Sequence, residues 1–198
     1  SCPNLKTITL SEKLVNILVG TYNPFYQSAA LEHIIVPENC SNFKSVDGVL
    51  YDLAETIIYC FPQGKDPTGF KLPDTLITIE QEAFYGFRGT NLELPESVER
   101  IAKMAFANTR LTSIHIPKNV ISIGKNAFYV NVDEGLSLES VTFAADSKLE
   151  TIENYAFAYN PRLSSINLPD SVKTINKYAF RECYGLEEVV LPAALTVL

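Results

Sequence analysis

Residues 163–180, LSSINLPDSVKTINKYAF, are the stretch whose reading decides the fold. Its closing Ala179-Phe180 returns upstream as Ala156-Phe157, Ala127-Phe128, Ala105-Phe106 and Ala83-Phe84. Taken from the first pair onward, the steps are 22, 22, 29 and 23 residues. Other positions recur with it. Leu94-Pro95, Val98, Ile101, Ala105-Phe106, Leu111 and Ile114 align with Ile116-Pro117, Val120, Ile123, Ala127-Phe128, Leu138 and Val141. Leu168-Pro169, Val172, Ile175, Ala179-Phe180, Leu186 and Val189 repeat the set. The long step is an insertion before Leu138 and between Phe143 and Leu149, not a broken pattern. A fixed period of this size signals a stacked solenoid, because one unit cannot bury its own apolar face.

Within one unit, Ile114 and Ile116 have the period-two spacing of a short half-buried strand that ends at Pro117. Val120 and Ile123 put a second apolar ridge on the turn back. Ala127-Phe128 reads as one turn of short or 3₁₀-like helix whose ring plugs the coil interior. Each such ring contributes roughly 1.5–3 kcal/mol on burial.

The set Leu-x-x-Ile-x-Leu-Pro-x-x-Val-x-x-Ile-x-x-x-Ala-Phe resembles the BspA-type leucine-rich repeat. The resemblance covers residues 72–198 as regular repeats of about 22–23 residues with an incomplete last one. Residues 1–46 follow it more loosely through Leu5-Ile8-Leu10, Leu14, Ile17, Phe25 and Leu31-Ile34-Val36. Between them, residues 47–71 hold an insertion. Asp47-Gly48-Val49-Leu50-Tyr51 is similar to a segment that such families often carry. Val49–Tyr51 and Thr56–Cys60 read as two strands joined by Asp52–Glu55. The expected fold is one repeat solenoid over residues 1–198: a leucine-rich-repeat right-handed superhelix with an inserted β-hairpin. Short parallel β-strands are expected on its concave face, and short helical or 3₁₀ turns on its convex face. The end at Leu198 falls partway into a unit, and the expectation is a cut edge rather than a cap.

Composition narrows the function. With 46% apolar residues the 198-residue chain is not disordered. Its net charge of −7, without a run of Lys or Arg, argues against nucleic acid as a partner. No apolar stretch approaches the roughly 20 residues of a membrane span, and the first residues show no basic region followed by an apolar segment, so a secretion signal is expected to be absent or already removed. Four cysteines are too few for a disulfide scaffold. Cys183 reads as core packing, Cys40 and Cys60 as a candidate pair across the insertion, and Cys2 as a free thiol. With only His33 and His115, in different coils, no metal site is expected. The Val130–Leu136 loop lacks the spacing of a known calcium loop. Nucleophile elbows, zinc-protease helices, phosphate loops and dinucleotide fingerprints are missing, so neither an enzyme nor a cofactor is expected. Asp133-Glu134 and Glu187-Glu188 read as solvated charge.

Function is then expected where side chains alternate outward from the buried strand positions and stack from coil to coil. The candidate ligand face runs through Thr7 and Thr9, His33 and Ile35, Asn91 and Glu93, and Ser113 and His115. It continues through Ser140 and Thr142, Ser165 and Asn167, and Glu188 and Val190. The family resemblance implies an extracellular or cell-surface protein, several members being adhesins that bind host matrix proteins or other microbial cells. The expected function is a non-catalytic module that binds a protein or glycoprotein. The alternative is a structural spacer that displays other domains of a longer chain.

Overall fold

The structure is a computed structural model that describes residues 2–18, 20–131 and 137–198. Its strands are β1 (Thr7–Thr9), β2 (His33–Ile35), β3 (Phe43–Val46), β4 (Val49–Asp52), β5 (Ile57–Cys60), β6 (Thr78–Ile79), β7 (Arg100–Ile101), β8 (Ser113–Ile116), β9 (Ser122–Ile123), β10 (Ser140–Phe143), β11 (Thr151–Ile152), β12 (Ser165–Ile166) and β13 (Thr174–Ile175). They stack as a solenoid with two strand-bearing faces. One face holds β1-β2 and, separately, the set β12-β10-β8. The other is a continuous eight-stranded sheet ordered β13-β11-β9-β7-β6-β5-β4-β3.

The Ile-x-Leu-Pro segments therefore make the shorter sheets, and the Val-x-x-Ile ridge makes the longer one. From β5 to β13 its pairing is parallel and steps one coil at a time, with Ile58, Ile79, Ile101, Ile123, Ile152 and Ile175 in register. These isoleucines are buried together with Leu76, Val98, Val120, Leu149 and Val172 in one cluster that runs the length of the stack. β8 stops at Ile116, before Pro117, as a residue without an N–H requires.

Among the described residues the Ala-Phe segments are turns and not helices, although the residues flanking the phenylalanine make 3₁₀-type bonds three residues back, such as Ala83 to Glu80 and Tyr85 to Glu82; the phenylalanine N–H groups break the run. The reason is where their N–H groups point. Phe61, Phe84, Phe106, Phe128 and Phe157 each donate to an alanine carbonyl of the next coil, at 2.7–2.8 Å, instead of four residues back. The residue before each Ala-Phe, whether Glu82, Met104, Asn126, Tyr155 or Tyr178, sits in the left-handed region with φ of 55–62°. That rotation breaks the helical run.

The turns align a ladder of rings. Phe84, Phe106, Phe128 and Phe157 stack 5.1–5.2 Å apart and within 9° of parallel. Phe180 extends the ladder at 5.6 Å. Phe61, which no alanine precedes, begins it 5.7 Å from Phe84.

The hairpin forms as a meander of three strands. β3 and β4 meet across Asp47-Gly48, both with positive φ, so that Val46 faces Val49. Asp52 closes the β4–β5 loop by accepting the N–H of Ile57 and the hydroxyl of Thr56, both at 2.7 Å. Leu50 packs with Ile17, Leu31, Ile34, Cys40, Phe43 and Cys60 in a second apolar cluster, whereas Val49 and Tyr51 join the main one. The meander thus welds the divergent N-terminal coils to the regular stack.

Candidate functional site

On the face bearing β8, β10 and β12, buried and outward positions alternate as the spacing requires. Ile114, Val141 and Ile166 align and are buried, and Ser113, Ser140 and Ser165 align beside them. His115 lies opposite Thr142. Ser113, His115, Thr142 and Ser165 are exposed, as is Asn167 one residue past β12, and Ser140 is half-buried. His115 Nδ1 is 2.9 Å from the Thr142 hydroxyl, so two neighbouring coils share a polar contact at the surface. Ser113, Ser140 and Ser165 form one in-register row and His115 and Thr142 a second, with Asn167 just past the end of β12.

The rest of the expected stripe does not join it. Thr7 and Thr9 pair with His33 and Ile35 in their own two-stranded sheet. There Thr7, His33, Ile35 and Ser45 line a cleft of about 380 Å³, closed at one side by Gly48. A Cβ at Gly48 would lie 2.8 Å from the His33 ring, so the hairpin tip sits directly over that histidine. Asn91 and Glu93 are exposed but belong to no strand, and so are Glu188 and Val190. Asn91 and Glu93 instead line a groove of about 680 Å³ between residues 70–74 and 91–95.

A side-chain difference separates this coil from the next. Three residues after each ladder phenylalanine stand Phe87, Thr109, Asn131, Asn160 and Cys183. Phe87 alone is aromatic, and it packs edge-on against Phe61 and Phe84 at 5.0 and 5.5 Å. Gly89 is needed beside it, since a Cβ there would come within 2.5 Å of the Phe87 ring.

Among the described residues no group of three or more His, Cys, Asp or Glu side chains could hold a metal ion. No helix among them is long and apolar enough to cross a membrane. Residues 132–136, which hold Asp133 and Glu134, lie outside the described residues. Cys40, Cys60 and Cys183 are buried and free, and Cys2 is exposed. Cys183 packs in the core as its position suggests, and the Cys40–Cys60 pair is not bonded.

A set of tyrosines along the Ala-Phe turns escaped the strand-based reading. The signal was present in the sequence, since Tyr85, Tyr129, Tyr155, Tyr159 and Tyr178 all stand within two residues of an Ala-Phe pair.

A family model described as a BspA type leucine rich repeat region matches in 6 copies over residues 1–46, 57–134 and 133–198. Among solved structures, a leucine-rich repeat protein from Eubacterium ventriosum is similar at a TM-score of 0.73 and 26% identity, over 97% of this chain and 56% of that one. A leucine rich cell surface protein from Faecalibacterium prausnitzii gives 0.70 at 23% identity, over 94% and 48%. The pneumococcal vaccine antigen PcpA gives 0.52 at 18% identity, over 98% and 56%; the last two likenesses bear on fold alone. The chain spans about half the length of these neighbours. No curated protein gives a significant match. With the phenylalanine ladder, the parallel coils and a family model covering most of its length, the chain belongs to the BspA type leucine-rich repeat family.

Proposed function

We propose that this chain is a non-catalytic binding module of an exported cell-surface protein. It docks a protein or glycoprotein on the face bearing β8, β10 and β12. The observation that carries this reading is the pair of in-register rows, Ser113-Ser140-Ser165 and His115-Thr142, flanked by exposed Asn167 on the same face of the stack. Repeat solenoids build extended binding surfaces in this way, with core positions fixed and outward positions free to vary. Family membership supports a binding role. Adhesion to host extracellular matrix is the finer form of the proposal.

A spacer role is the second reading. It is favoured by the break in the stripe, which leaves Asn91, Glu93 and Glu188 out of the strand rows.

The test is solid-phase binding of the purified chain to immobilised matrix glycoproteins, plasma proteins and glycans, beside a His115→Ala/Thr142→Ala variant. Both side chains are exposed, so the variant should keep its melting temperature. Saturable binding that the folded variant loses supports the module. Binding to nothing in the panel supports the spacer.

A further inference from the structure

We infer that the turn edge around Tyr155, Tyr159, Tyr178 and Arg181 is a second binding surface, shaped for an anionic saccharide. It lies outside the strand rows discussed above and recruits different chemistry. Of the ten tyrosines in the chain, Tyr22, Tyr26, Tyr85, Tyr129, Tyr155, Tyr159 and Tyr178 find their ring partners among one another or with Lys103 and Arg181. The strand face carries none of them.

The first observation is which residues occupy the left-handed turn positions. Tyr155, Tyr159 and Tyr178 have φ of 58°, 62° and 62°. The left-handed region is unfavourable for a bulky residue, and Asn or Gly occupies it at much lower cost. Equivalent turns in this chain use Asn126, Gly86 and Asn108, and also Glu82, Met104 and Glu182, at matching positions. The turn geometry therefore does not call for tyrosine. The left-handed turn recurs from coil to coil, at Glu82, Met104 and Glu182 as well, so what sets these two adjacent coils apart is residue type: tyrosine at three of their turn positions.

The second observation is how the rings are arranged. Tyr155 and Tyr178 lie 5.1 Å apart at 35°, and Tyr129 meets Tyr159 edge-on at 5.2 Å. The Arg181 guanidinium sits 5.7 Å from the Tyr159 ring and 5.6 Å from the Tyr178 ring. It is held between two aromatic faces while its side chain stays 44% exposed. Its ion pair with Glu182 runs through Nε at 3.5 Å, a long contact. Lys177 is exposed next to Tyr178, and its carbonyl accepts the Tyr155 N–H from the neighbouring coil.

The occupant follows from that chemistry. Phenol rings offer an apolar face on which the C–H side of a sugar packs, with a hydroxyl at the rim for its polar groups. A guanidinium pinned between rings is pre-organised and meets a carboxylate or sulfate through parallel N–H bonds. A protein partner would want a broad apolar centre, whereas here Tyr178, 56% exposed, is the one widely exposed apolar side chain among the four. The shared ligand chemistry is a sugar ring bearing an acidic group, whether sulfated or uronic.

The test uses the whole chain with immobilised heparin, polygalacturonate and neutral dextran at physiological ionic strength. The parent is compared with Tyr178→Asn, Arg181→Gln and the strand-face variant His115→Ala/Thr142→Ala. Saturable binding is expected to at least one polyanion and not to dextran. Tyr178→Asn and Arg181→Gln should weaken it at least tenfold, and the strand-face variant should bind as the parent does. Heparin binding alone would assign sulfate, and polygalacturonate binding alone would assign carboxylate. Asparagine suits the left-handed turn, so Tyr178→Asn should melt at or above the parent temperature. A lower melting temperature for that variant would make the tyrosine a stability residue and overturn the inference. So would an absence of binding to both polyanions, equal binding to dextran, or polyanion binding that Tyr178→Asn leaves unchanged.

Discussion

The Asn160 side-chain amide donates to the carbonyl of Phe128, one coil back, at 2.8 Å. The same nitrogen reaches the Phe157 carbonyl at 2.8 Å, and its oxygen accepts the Leu138 N–H at 2.8 Å. Asn160 is fully buried, so these bonds satisfy main-chain groups that water does not reach. At the matching place in the next coil, the Cys183 thiol faces the Phe157 carbonyl at 3.1 Å. One position thus ties the ladder coils together with donors of different strength.

Asn160→Ala is expected to destabilise the chain by about 2–4 kcal/mol, since it strands the Leu138 N–H and the Phe128 carbonyl and leaves the Phe157 carbonyl only the weak Cys183 thiol. Cys183→Ala should cost only about 1 kcal/mol, because a thiol is a weak donor and alanine leaves a small cavity. Urea denaturation of both variants measures the difference. Equal midpoints would mean that the amide bonds add nothing beyond packing.

The ladder makes a graded prediction. Phe106 is fully buried between two stacked rings, so Phe106→Ala should cost about 3–5 kcal/mol. Phe180 stacks on Phe157 and is only half-buried, so Phe180→Ala should cost clearly less. A thermal melt of the two variants reads the order, and reversal would refute the ladder as the main packing element.

Coil-to-coil approach is close at Gly124, where a Cβ would lie 2.7 Å from the Ala102 carbonyl carbon and 2.8 Å from the Lys103 nitrogen. Both obstacles are backbone and cannot rotate away. Gly124→Ala is expected to lower stability by about 1–3 kcal/mol through overpacking, whereas Gly69→Ser meets no atom within 4 Å but carries a positive-φ cost. Circular-dichroism melts of the two single variants separate crowding from dihedral strain.

The phenylalanine ladder and the alternation along each strand were legible because they are written in residue type at fixed spacing. Less visible was that Val-x-x-Ile builds the longer sheet, since two-residue strands such as Thr78–Ile79 are too short to show alternation. The left-handed turn residue was hidden because Glu82, Met104, Asn126, Tyr155 and Tyr178 share no side-chain type; main-chain bonds to the next coil impose it. Phe61 escaped because no alanine precedes it. The candidate face was legible strand by strand, and its exposed positions are those that period two assigns. Its interruption at Asn91 and Glu93 was not, because strand pairing depends on neighbouring coils as well as on local pattern.

Glu82 makes stability depend on pH. It is buried, and its carboxylate accepts the Asn23 N–H at 2.6 Å, joining the N-terminal segment to the regular coils. Burial pushes its carboxyl above the ordinary glutamate value, and the Asn23 bond opposes that by less. A carboxyl with a raised folded pKa binds its proton more tightly in the folded chain. Its contribution is therefore most favourable below the ordinary value of about 4.5, declines as pH rises through the folded pKa, and is level above it. Glu82→Gln keeps an oxygen for the Asn23 N–H and removes the charge. The variant should resist urea better than the parent at pH 7 and show a flatter decline from pH 4.5 to 7; identical profiles would take Glu82 out of the pH dependence.

Thiol reactivity tests the core and the unbonded cysteines together. Burial pushes the Cys60 thiol far up and the Cys183 thiol to about 11. The thiolate is the reactive form, so neither should react at pH 8 without opening of the fold. Cys40 is shielded in the same apolar cluster as Cys60, and Cys2 is exposed. An aromatic disulfide reagent at pH 8 should therefore titrate one thiol at once and three slowly, with all four reacting in urea. Only two reacting in urea would mean that Cys40 and Cys60 had joined. Because both belong to the cluster that β4 shares with the N-terminal coils, adding reductant would then soften that end of the solenoid while leaving the phenylalanine ladder intact.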